Sequence, residues 1–227
     1  MHVLEAIRQR GSTRAFLPKA VSRELIQQLL AAARYSPSGT NIQPWRVHVV
    51  TGAVRDRLCA RVVAAARTGT GEAPPYAYYP ATWREPYLGR RRACGWGLYG
   101  TLGIAKSDRE RMQAQQLRNF QFFDAPVGLF FTIDNDLPQG AWLDYGMFLQ
   151  TVMLAAEGVG LATCPQAAWL DYHSIIRDEL MLPADQTLVC GMAVGYRDTS
   201  AIVNGFRPDR LPVQSFTVWH DGEGGLS

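Results

Sequence analysis

The fold class predicted by the sequence is α+β, with helices packed around one sheet. Two apolar segments, residues 128–134 and 188–194, have the length and composition of buried strands. Between them, residues 142–157 predict a long helix that is apolar on nearly every face and therefore central. Strands and helices do not alternate strictly along the chain, and such a mixture is typical of α+β domains.

Length and composition favour one sizeable domain. The chain has 227 residues, of which 47% are apolar, enough to bury a substantial core. Charged residues make up 19% of the chain, below the usual value of about a quarter, and this favours a surface partly buried in an oligomer. The net charge of +3 is too small to indicate a nucleic-acid partner.

The sequence predicts a cytoplasmic protein without a membrane anchor or a metal site. Its N-terminal residues lack the apolar stretch of a signal peptide, and the most apolar segment, residues 145–156, is too short to span a bilayer. No two histidines have the spacing of metal ligands. The cysteines are scattered without a CxxC pair, so we expect reduced thiols at Cys59, Cys94, Cys164 and Cys190.

The first third of the chain predicts three helices and a strand. Residues 3–10 form a short helix, and Ser22 is an N-cap residue for the next one. That second helix ends near Ser36, because a residue before proline disfavours the helical region. Residues 47–51 are β-branched enough for a strand, and residues 54–67 return to helical spacing.

Residues 69–119 differ in character from the rest of the chain. Glycines and prolines exclude long regular elements before residue 89, while residues 92–119 predict one or two helices. Aromatic side chains in such a stretch either pack on the core or line a site, and the sequence leaves both interpretations open. We interpret the segment as an insert covering a site, with Trp83 and Tyr87 facing the substrate. Phe216, Val218 and Trp219 alternate in the tail, which predicts an extended segment.

The sequence does not support a dinucleotide-binding turn or a catalytic nucleophile. Residues 95–100 spell GxGxxG, but Arg90–Cys94 precede them instead of the strand that a dinucleotide-binding turn needs. Residues 158–160 follow a helix and predict a helix end and a turn. The chain has no GxSxG motif and no cysteine close in sequence to a histidine, so no nucleophile is indicated.

Two polar segments carry most of the functional signal. Residues 8–14, RQRGSTR, can surround one phosphate with guanidiniums and hydroxyls, although on their own they fit a solvated basic stretch better. Residues 36–45, SPSGTNIQPW, offer small and amide side chains able to hydrogen-bond a polar heterocycle. Together the two segments closely resemble the nitroreductase family.

The resemblance covers nearly the whole chain. Residues 125–127, APV, resemble the family's entry to its central strand, and residues 158–168 resemble the segment that passes the reactive edge of the flavin. Residues 204–212, NGFRPDRLP, resemble its closing basic motif. Residues 69–119 are the least typical part and look like the subgroup that acts on nitrobenzoates.

The resemblance implies an architecture and an activity. It implies one domain over residues 1–227, with a mostly antiparallel central sheet flanked by helices. It also implies a homodimer in which residues 204–227 extend onto the partner subunit and exchange a strand. FMN would be the cofactor and NAD(P)H the electron donor, with ping-pong reduction of a nitroaromatic acceptor. The alternatives are dehalogenation, ene reduction, an oxidase-type reaction, or flavin binding without turnover.

The resemblance also implies roles for individual residues, none of them a side-chain nucleophile. Arg10, Ser12 and Arg210 would hold the phosphate, with Arg14 and Arg207 near the ribityl chain or the pyrimidine end of the flavin. Backbone groups of Ala167 and Ala168, which replace the family's usual acidic residue and glycine, would lie near N5. Four residues would come from the partner subunit: Pro37, Ser38, Gly39 and Asn41. The predicted cofactor set is completed by Gly11, Gln43, Asn119 at the pyrimidine edge, Pro165 and Gln166.

Overall fold

A computed structural model describes residues 2–220, in which four antiparallel strands form one sheet in the order β1-β2-β4-β3. This confirms the prediction of an α+β fold with a mostly antiparallel sheet flanked by helices. The strands are β1 (Arg46–Thr51), β2 (Val127–Asp134), β3 (Ala162–Gln166) and β4 (Gln186–Gly195). The helices are α1 (Val3–Gln9), α2 (Arg23–Ala33), α3 (Gly52–Thr68), α4 (Tyr87–Thr101), α5 (Arg109–Leu117), α6 (Gln139–Gly158) and α7 (His173–Leu180).

Both faces of the sheet are covered, which explains why β2 and β4 are continuous apolar runs in the sequence. The side chains of alternate residues in β2 pack on opposite faces of the sheet. Leu129 and Phe131 pack with α2 and α6, whereas Phe130 packs on the other face with Phe122 and Trp169. The sheet is therefore the middle layer of the domain, with a hydrophobic cluster on each side.

The predicted helices form close to their expected bounds. Ser22 caps α2, since its Oγ accepts a hydrogen bond from the Leu25 N–H at 3.2 Å. The helix predicted over residues 142–157 is α6, which begins three residues earlier. The insert contains two helices, and the first begins at Tyr87, earlier than the predicted residue 92. Residues 95–100, the GxGxxG sequence, lie inside α4, so they form no dinucleotide-binding turn.

The structure differs from expectation in two segments, β3 and the C-terminal tail. No local sequence pattern predicted β3, which pairs antiparallel with β4 along one edge of the sheet. The tail was predicted to be extended, yet between Leu211 and His220 the chain forms a 3-10 turn at Val213–Ser215 and no strand. Within residues 2–220, no helix is long and apolar enough to cross a membrane.

Candidate functional site

A cavity of about 630 Å³ lies beside the C-terminal end of α1. Five arginines line it, and no carboxylate does so among the residues that the structure describes. Six residues of the predicted cofactor set meet here although 200 residues separate the ends of that set in sequence: Arg10, Gly11, Ser12, Arg14, Arg207 and Arg210. The other lining residues are Ile7, Arg8, Cys94, Gln150, Phe206 and Pro208.

The edge of the sheet positions the N-terminal part of this cavity. The Thr13 N–H donates to the Thr163 carbonyl of β3 at 2.9 Å, and Ser12 pairs in parallel with the same residue. Thr13 is buried, and its hydroxyl is also held by Arg197 Nε at 3.2 Å. This isolated bridge attaches Ser12 and Thr13 to the outer edge of β3, which fixes the direction of the neighbouring side chains.

Asn204 joins the two ends of the chain at this cavity. Its Oδ1 accepts a hydrogen bond from the Arg14 N–H at 2.7 Å. Its Nδ2 donates to the carbonyls of Ala15 and Asp198, both at 2.8 Å. Through these three backbone hydrogen bonds, Asn204 fixes the position of residues 14–15 relative to the segment that precedes Arg207.

Close packing shapes the opposite wall. A β-carbon on Gly11 would overlap the guanidinium of Arg207, whose Nη2 donates to the Gln9 carbonyl at 2.9 Å. Gly97 of α4 likewise leaves room for Phe206, since a β-carbon there would lie 2.7 Å from Cε2 of that ring. These two glycines allow α4 and the chain around residue 207 to close over the cavity.

The cavity has a strongly positive electrostatic character. Desolvation lowers the pKa of Arg207, and the positive charges of Arg197, Arg10 and Arg210 lower it further, while Glu157 opposes the change. Glu157 accepts a hydrogen bond from Arg197 at 3.0 Å and is directed to that residue. The five arginines that line the cavity have no carboxylate beside them in the described lining. This arrangement is suited to an anion such as phosphate.

The end of β3 carries buried polar atoms without partners. Within residues 2–220 these atoms are Thr163 Oγ1, Gln166 Oε1 and Trp169 Nε1, all on β3 or in the 3-10 helix Ala167–Tyr172 that follows it. Gln166 Nε2 donates to the Asn119 carbonyl at 2.6 Å. The Asn119 side chain itself donates to the Gln116 carbonyl at 3.0 Å, so the contact between Asn119 and β3 is made by its backbone.

A second cavity, of about 510 Å³, adjoins Ala167 and Ala168. Tyr78 and Tyr79 line it and are half exposed, with their rings edge to face at a centroid distance of 4.7 Å. Asp171 is its one carboxyl group within the described chain, and desolvation raises the pKa of that carboxyl. The remaining lining residues are Pro74, Ala77, Ala81 and Leu170.

The aromatic residues of the insert fall into two groups. Tyr76 packs on the core, with its hydroxyl donating to the Val189 carbonyl at 2.6 Å. Trp83 contacts Tyr79 at a centroid distance of 5.6 Å and is not among the residues that line the second cavity. Tyr87 stacks with Arg84 at 5.0 Å and is also outside that lining.

The loop that contains Pro37, Ser38, Gly39, Asn41 and Gln43 lies apart from both cavities of its own chain. It is largely exposed and is attached to α6 through a hydrogen bond from the Gly39 N–H to Asp144 Oδ2 at 3.0 Å. Pro165 and Gln166 occupy the last two positions of β3. Within the described residues, no cluster of three or more histidine, cysteine, aspartate or glutamate side chains is suited to a metal.

Sequence reasoning missed several residues that build the site. Cys94, Gln150 and Phe206 line the first cavity, and Tyr78 and Tyr79 line the second. The tyrosines had a signal as members of the aromatic insert, and Phe206 lies within the basic motif of residues 204–212. Cys94 and Gln150 lie on α4 and α6, whose faces toward the cavity depend on tertiary packing.

Comparison with known proteins agrees with this arrangement. The profile of the Nitroreductase family matches residues 7–196. Nitrobenzene nitroreductase of Ectopseudomonas oleovorans is 41% identical over 216 residues, covering 95% of each chain. The 4-nitrobenzoate reductase of Pseudomonas putida is 43% identical over 211 residues, covering 93% of this chain and 92% of that protein.

Solved structures extend the likeness to three dimensions. The FMN and NADPH-dependent nitroreductase NfnB from Sphigopyxis sp. strain HMH superposes with a TM-score of 0.93 at 37% identity, covering 97% of this chain and 99% of that one. NfnB from Mycobacterium smegmatis, solved in complex with NADPH, gives a TM-score of 0.91 at 32% identity, covering 96% and 98%. Sequence and fold agree, and the chain belongs to the nitroreductase family.

Proposed function

We propose that the protein is an FMN-dependent NAD(P)H oxidoreductase that reduces nitroaromatic compounds. The observation that carries the proposal is the arginine-lined cavity beside β3, in a chain whose relatives are named nitrobenzene and 4-nitrobenzoate reductases. Flavin binding without turnover has no comparable support, since the relatives are named as reductases. The same holds for dehalogenation, ene reduction and oxidase chemistry.

The first cavity fits a flavin phosphate. Arg10, Ser12 and Arg210 would hold it, since guanidinium forks and a hydroxyl match phosphate oxygens. Arg14 and Arg207 would lie toward the ribityl chain or the ring. Positive charge at the pyrimidine end stabilises a reduced, anionic flavin and so favours acceptance of hydride.

The flavin ring would lie along the end of β3. A strand rises about 3.3 Å per residue, so Gln166 at the end of β3 lies about 10 Å from Thr163, the residue that pairs with Ser12. Residues along β3 would then accompany the ribityl chain, with Ala167 and Ala168 next to the ring. The unpartnered atoms Thr163 Oγ1 and Gln166 Oε1 offer hydrogen-bonding capacity on this path. The bound flavin would supply the redox chemistry, taking hydride from NAD(P)H and passing it to the nitro group.

The second cavity would receive the acceptor. Ala167 and Ala168 form its floor near the proposed ring site, and their small side chains leave space above the backbone. Tyr78 and Tyr79 form its rim and present aromatic surface to a planar compound. Trp83 packs against Tyr79, and the insert over residues 69–119 would act as the cover of this pocket.

We also propose a homodimer, located in the cytoplasm. Neighbouring helices α1 and α6 expose apolar side chains, including Leu4 at 51% and Leu143 at 72%, and such patches favour burial against a partner. The loop with Ser38, Gly39 and Asn41 would then reach the partner's flavin, which explains why it lies apart from the cavities of its own chain. The cysteines are free thiols, in agreement with a reducing compartment.

An exchanged C-terminal strand completes the proposed dimer. Phe216, Val218 and Trp219 are exposed in the single chain, at 67%, 68% and 79%. The outer edge of β1 has no strand partner within residues 2–220 and provides backbone groups for one. Deleting the chain after Pro212 should weaken dimerisation and flavin retention together, and a monodisperse dimer with full flavin content after this deletion would refute the exchange.

Arginine substitutions test the cofactor proposal. Arg10→Ala and Arg210→Ala each remove one charged phosphate contact, and each should weaken FMN binding by on the order of 1.5–3 kcal/mol. Arg67→Ala, on the exposed face of α3, is the matched control. Denatured wild-type protein should release FMN in a one-to-one ratio to subunits. Release of FAD, or unchanged FMN affinity in both variants, would refute this placement of the phosphate.

A further inference from the structure

The loop between α2 and β1 holds an unusual backbone conformation. Thr40, Asn41 and Gln43 have φ values of 48°, 62° and 48°, in the left-handed region that side chains with a β-carbon rarely adopt. The loop is closed internally by a hydrogen bond from the Gln43 N–H to Ser38 Oγ at 3.0 Å. Conformations of this kind persist only when surrounding contacts impose them, and they concentrate at functional sites.

One buried carboxylate provides such a contact. Asp144 lies on α6, is 8% exposed, and accepts the Gly39 N–H at 3.0 Å through Oδ2. Gly39 is the first residue of the strained turn Gly39–Asn41. A hydrogen bond from a backbone amide to an ionised carboxylate is stronger than one between neutral groups, so this contact restrains the entry to the loop.

The same face of α6 holds the exit of the loop. Trp45 stacks on Phe148 with a centroid distance of 4.6 Å and an interplanar angle of 4°. Phe148 follows Asp144 by four residues, which places the two side chains on one face of the helix. The Tyr145 hydroxyl adds a hydrogen bond to the Arg46 carbonyl at 2.9 Å. Both ends of the loop are therefore attached to one rigid helix.

We propose that Asp144 is a positioning residue that sets the cofactor-binding conformation of residues 38–43 and acts on the flavin site of the partner subunit. The inference rests on the proposed function, in which this loop reaches the partner's flavin. Asp144 itself touches neither flavin nor acceptor. Its carboxylate orients Gly39, and through it Ser38 and Asn41, before the cofactor binds.

Flavin affinity of two Asp144 variants provides the first test. Asp144→Ala should raise the Kd for FMN by about tenfold or more, because the loss of a charge-assisted contact releases the loop. Asp144→Asn keeps an oxygen that accepts the Gly39 N–H and should restore binding to within about threefold of wild type. Asp178→Ala, an exposed carboxylate on α7, is the charge-matched control and should bind FMN like wild type.

Mixed dimers provide the decisive test. In a shared site, the phosphate residues of one subunit meet the loop of the other. A heterodimer of one Arg10→Ala chain and one Asp144→Ala chain then has one doubly defective site and one intact site. Differently tagged chains, co-expressed and purified through both tags, should bind one FMN per dimer with wild-type affinity, whereas each variant homodimer binds FMN weakly.

The possible outcomes separate the inference from the proposed function. If wild-type protein binds no FMN, the proposed function itself fails. If wild-type protein binds FMN and Asp144→Ala does so equally well, only the inference fails. A heterodimer without a high-affinity site would show that Asp144 acts within its own subunit and would overturn the proposal. So would an Asp144→Asn variant that binds as weakly as Asp144→Ala.

Discussion

The guanidinium of Arg207 lies against the backbone of Gly11, in the space that a β-carbon at position 11 would occupy. This contact brings the closing basic motif of the chain onto its N-terminal basic segment. Arg207 also donates to the Gln9 carbonyl at 2.9 Å, so the two ends of the chain build one wall of the cationic cavity. The absence of a side chain at position 11 leaves the space in which this contact forms.

Substituting Gly11→Ala tests this contact. The guanidinium is the far end of a flexible side chain, so we expect it to move aside at little cost in thermal stability. Its displacement from the cavity should raise the Kd for FMN by on the order of tenfold, as expected for one weakened charged contact. Gly95→Ala, where a β-carbon meets open space, is the control. Equal FMN affinity in both variants would contradict the role of Arg207.

The glycines of α4 should differ sharply from one another. A β-carbon on Gly97 would lie 2.7 Å from Phe206, so Gly97→Ala should destabilise the protein by about 1–3 kcal/mol through overpacking. Gly95 and Gly100 face open space within a helix, and replacing either by alanine should stabilise it by about 0.5–1 kcal/mol. Urea unfolding measures all three, and three similar changes in the free energy of unfolding would refute the close packing of α4 on Phe206.

Thiol labelling should single out Cys94. Burial raises the pKa of Cys59 to about 11, of Cys164 to about 11 and of Cys190 to about 12, which keeps these thiols protonated and unreactive near pH 8. Cys94 is exposed and lines the cationic cavity. A thiol reagent such as Ellman's reagent should therefore show one fast phase, absent in Cys94→Ser and slowed by bound FMN. A fast phase whose rate is the same with and without FMN would show that Cys94 does not lie in the cofactor site.

Aromatic substitutions should rank by whether the side chain lines the second cavity, contacts a residue that lines it, or does neither. Tyr79→Ala should raise the KM for a nitroaromatic by about two- to tenfold, the value of one aromatic contact, with FMN content intact. Trp83→Ala should have a smaller effect through Tyr79, and Tyr87→Ala the smallest of the three.

Stopped-flow measurement of the two half-reactions distinguishes this role from core packing. A contact specific to the acceptor should impair reoxidation more than reduction by NAD(P)H. Tyr76→Phe, which removes a hydrogen bond to β4, should change stability without changing the KM. Equal, small effects at Tyr79 on both half-reactions, together with a lower melting temperature, would return that residue to the core.

The regular elements were predictable wherever burial leaves a local pattern. The apolar stripe and the Ser22 cap located α2, and continuous apolar runs located β2 and β4, because both faces of those strands are covered. The strand β3 was missed. It is five residues long and contains Pro165 and Gln166, and its pairing with β4 is a long-range contact that no local pattern records.

The arginine-lined cavity was more predictable from the sequence than the second, aromatic-lined cavity. The resemblance assigned Arg10, Ser12 and Arg210 to the phosphate, with Arg14 and Arg207 nearby at the ribityl chain or the pyrimidine end, and all five residues do line one cavity. Composition alone did not distinguish the aromatic residues of the insert. Tyr76 packs on the core while Tyr79 lines a cavity, a difference that arises from where an irregular segment crosses the end of β3.

Anaerobic titration of the FMN-loaded protein tests the central claim most directly. Adding NADPH should bleach the yellow flavin, and adding nitrobenzene or 4-nitrobenzoate should restore the colour while the nitro compound is consumed. The Asp178→Ala variant should behave identically. A bound flavin that stays yellow with both NADH and NADPH, or a bleached flavin that no nitroaromatic reoxidises, would contradict the proposed nitroaromatic reductase.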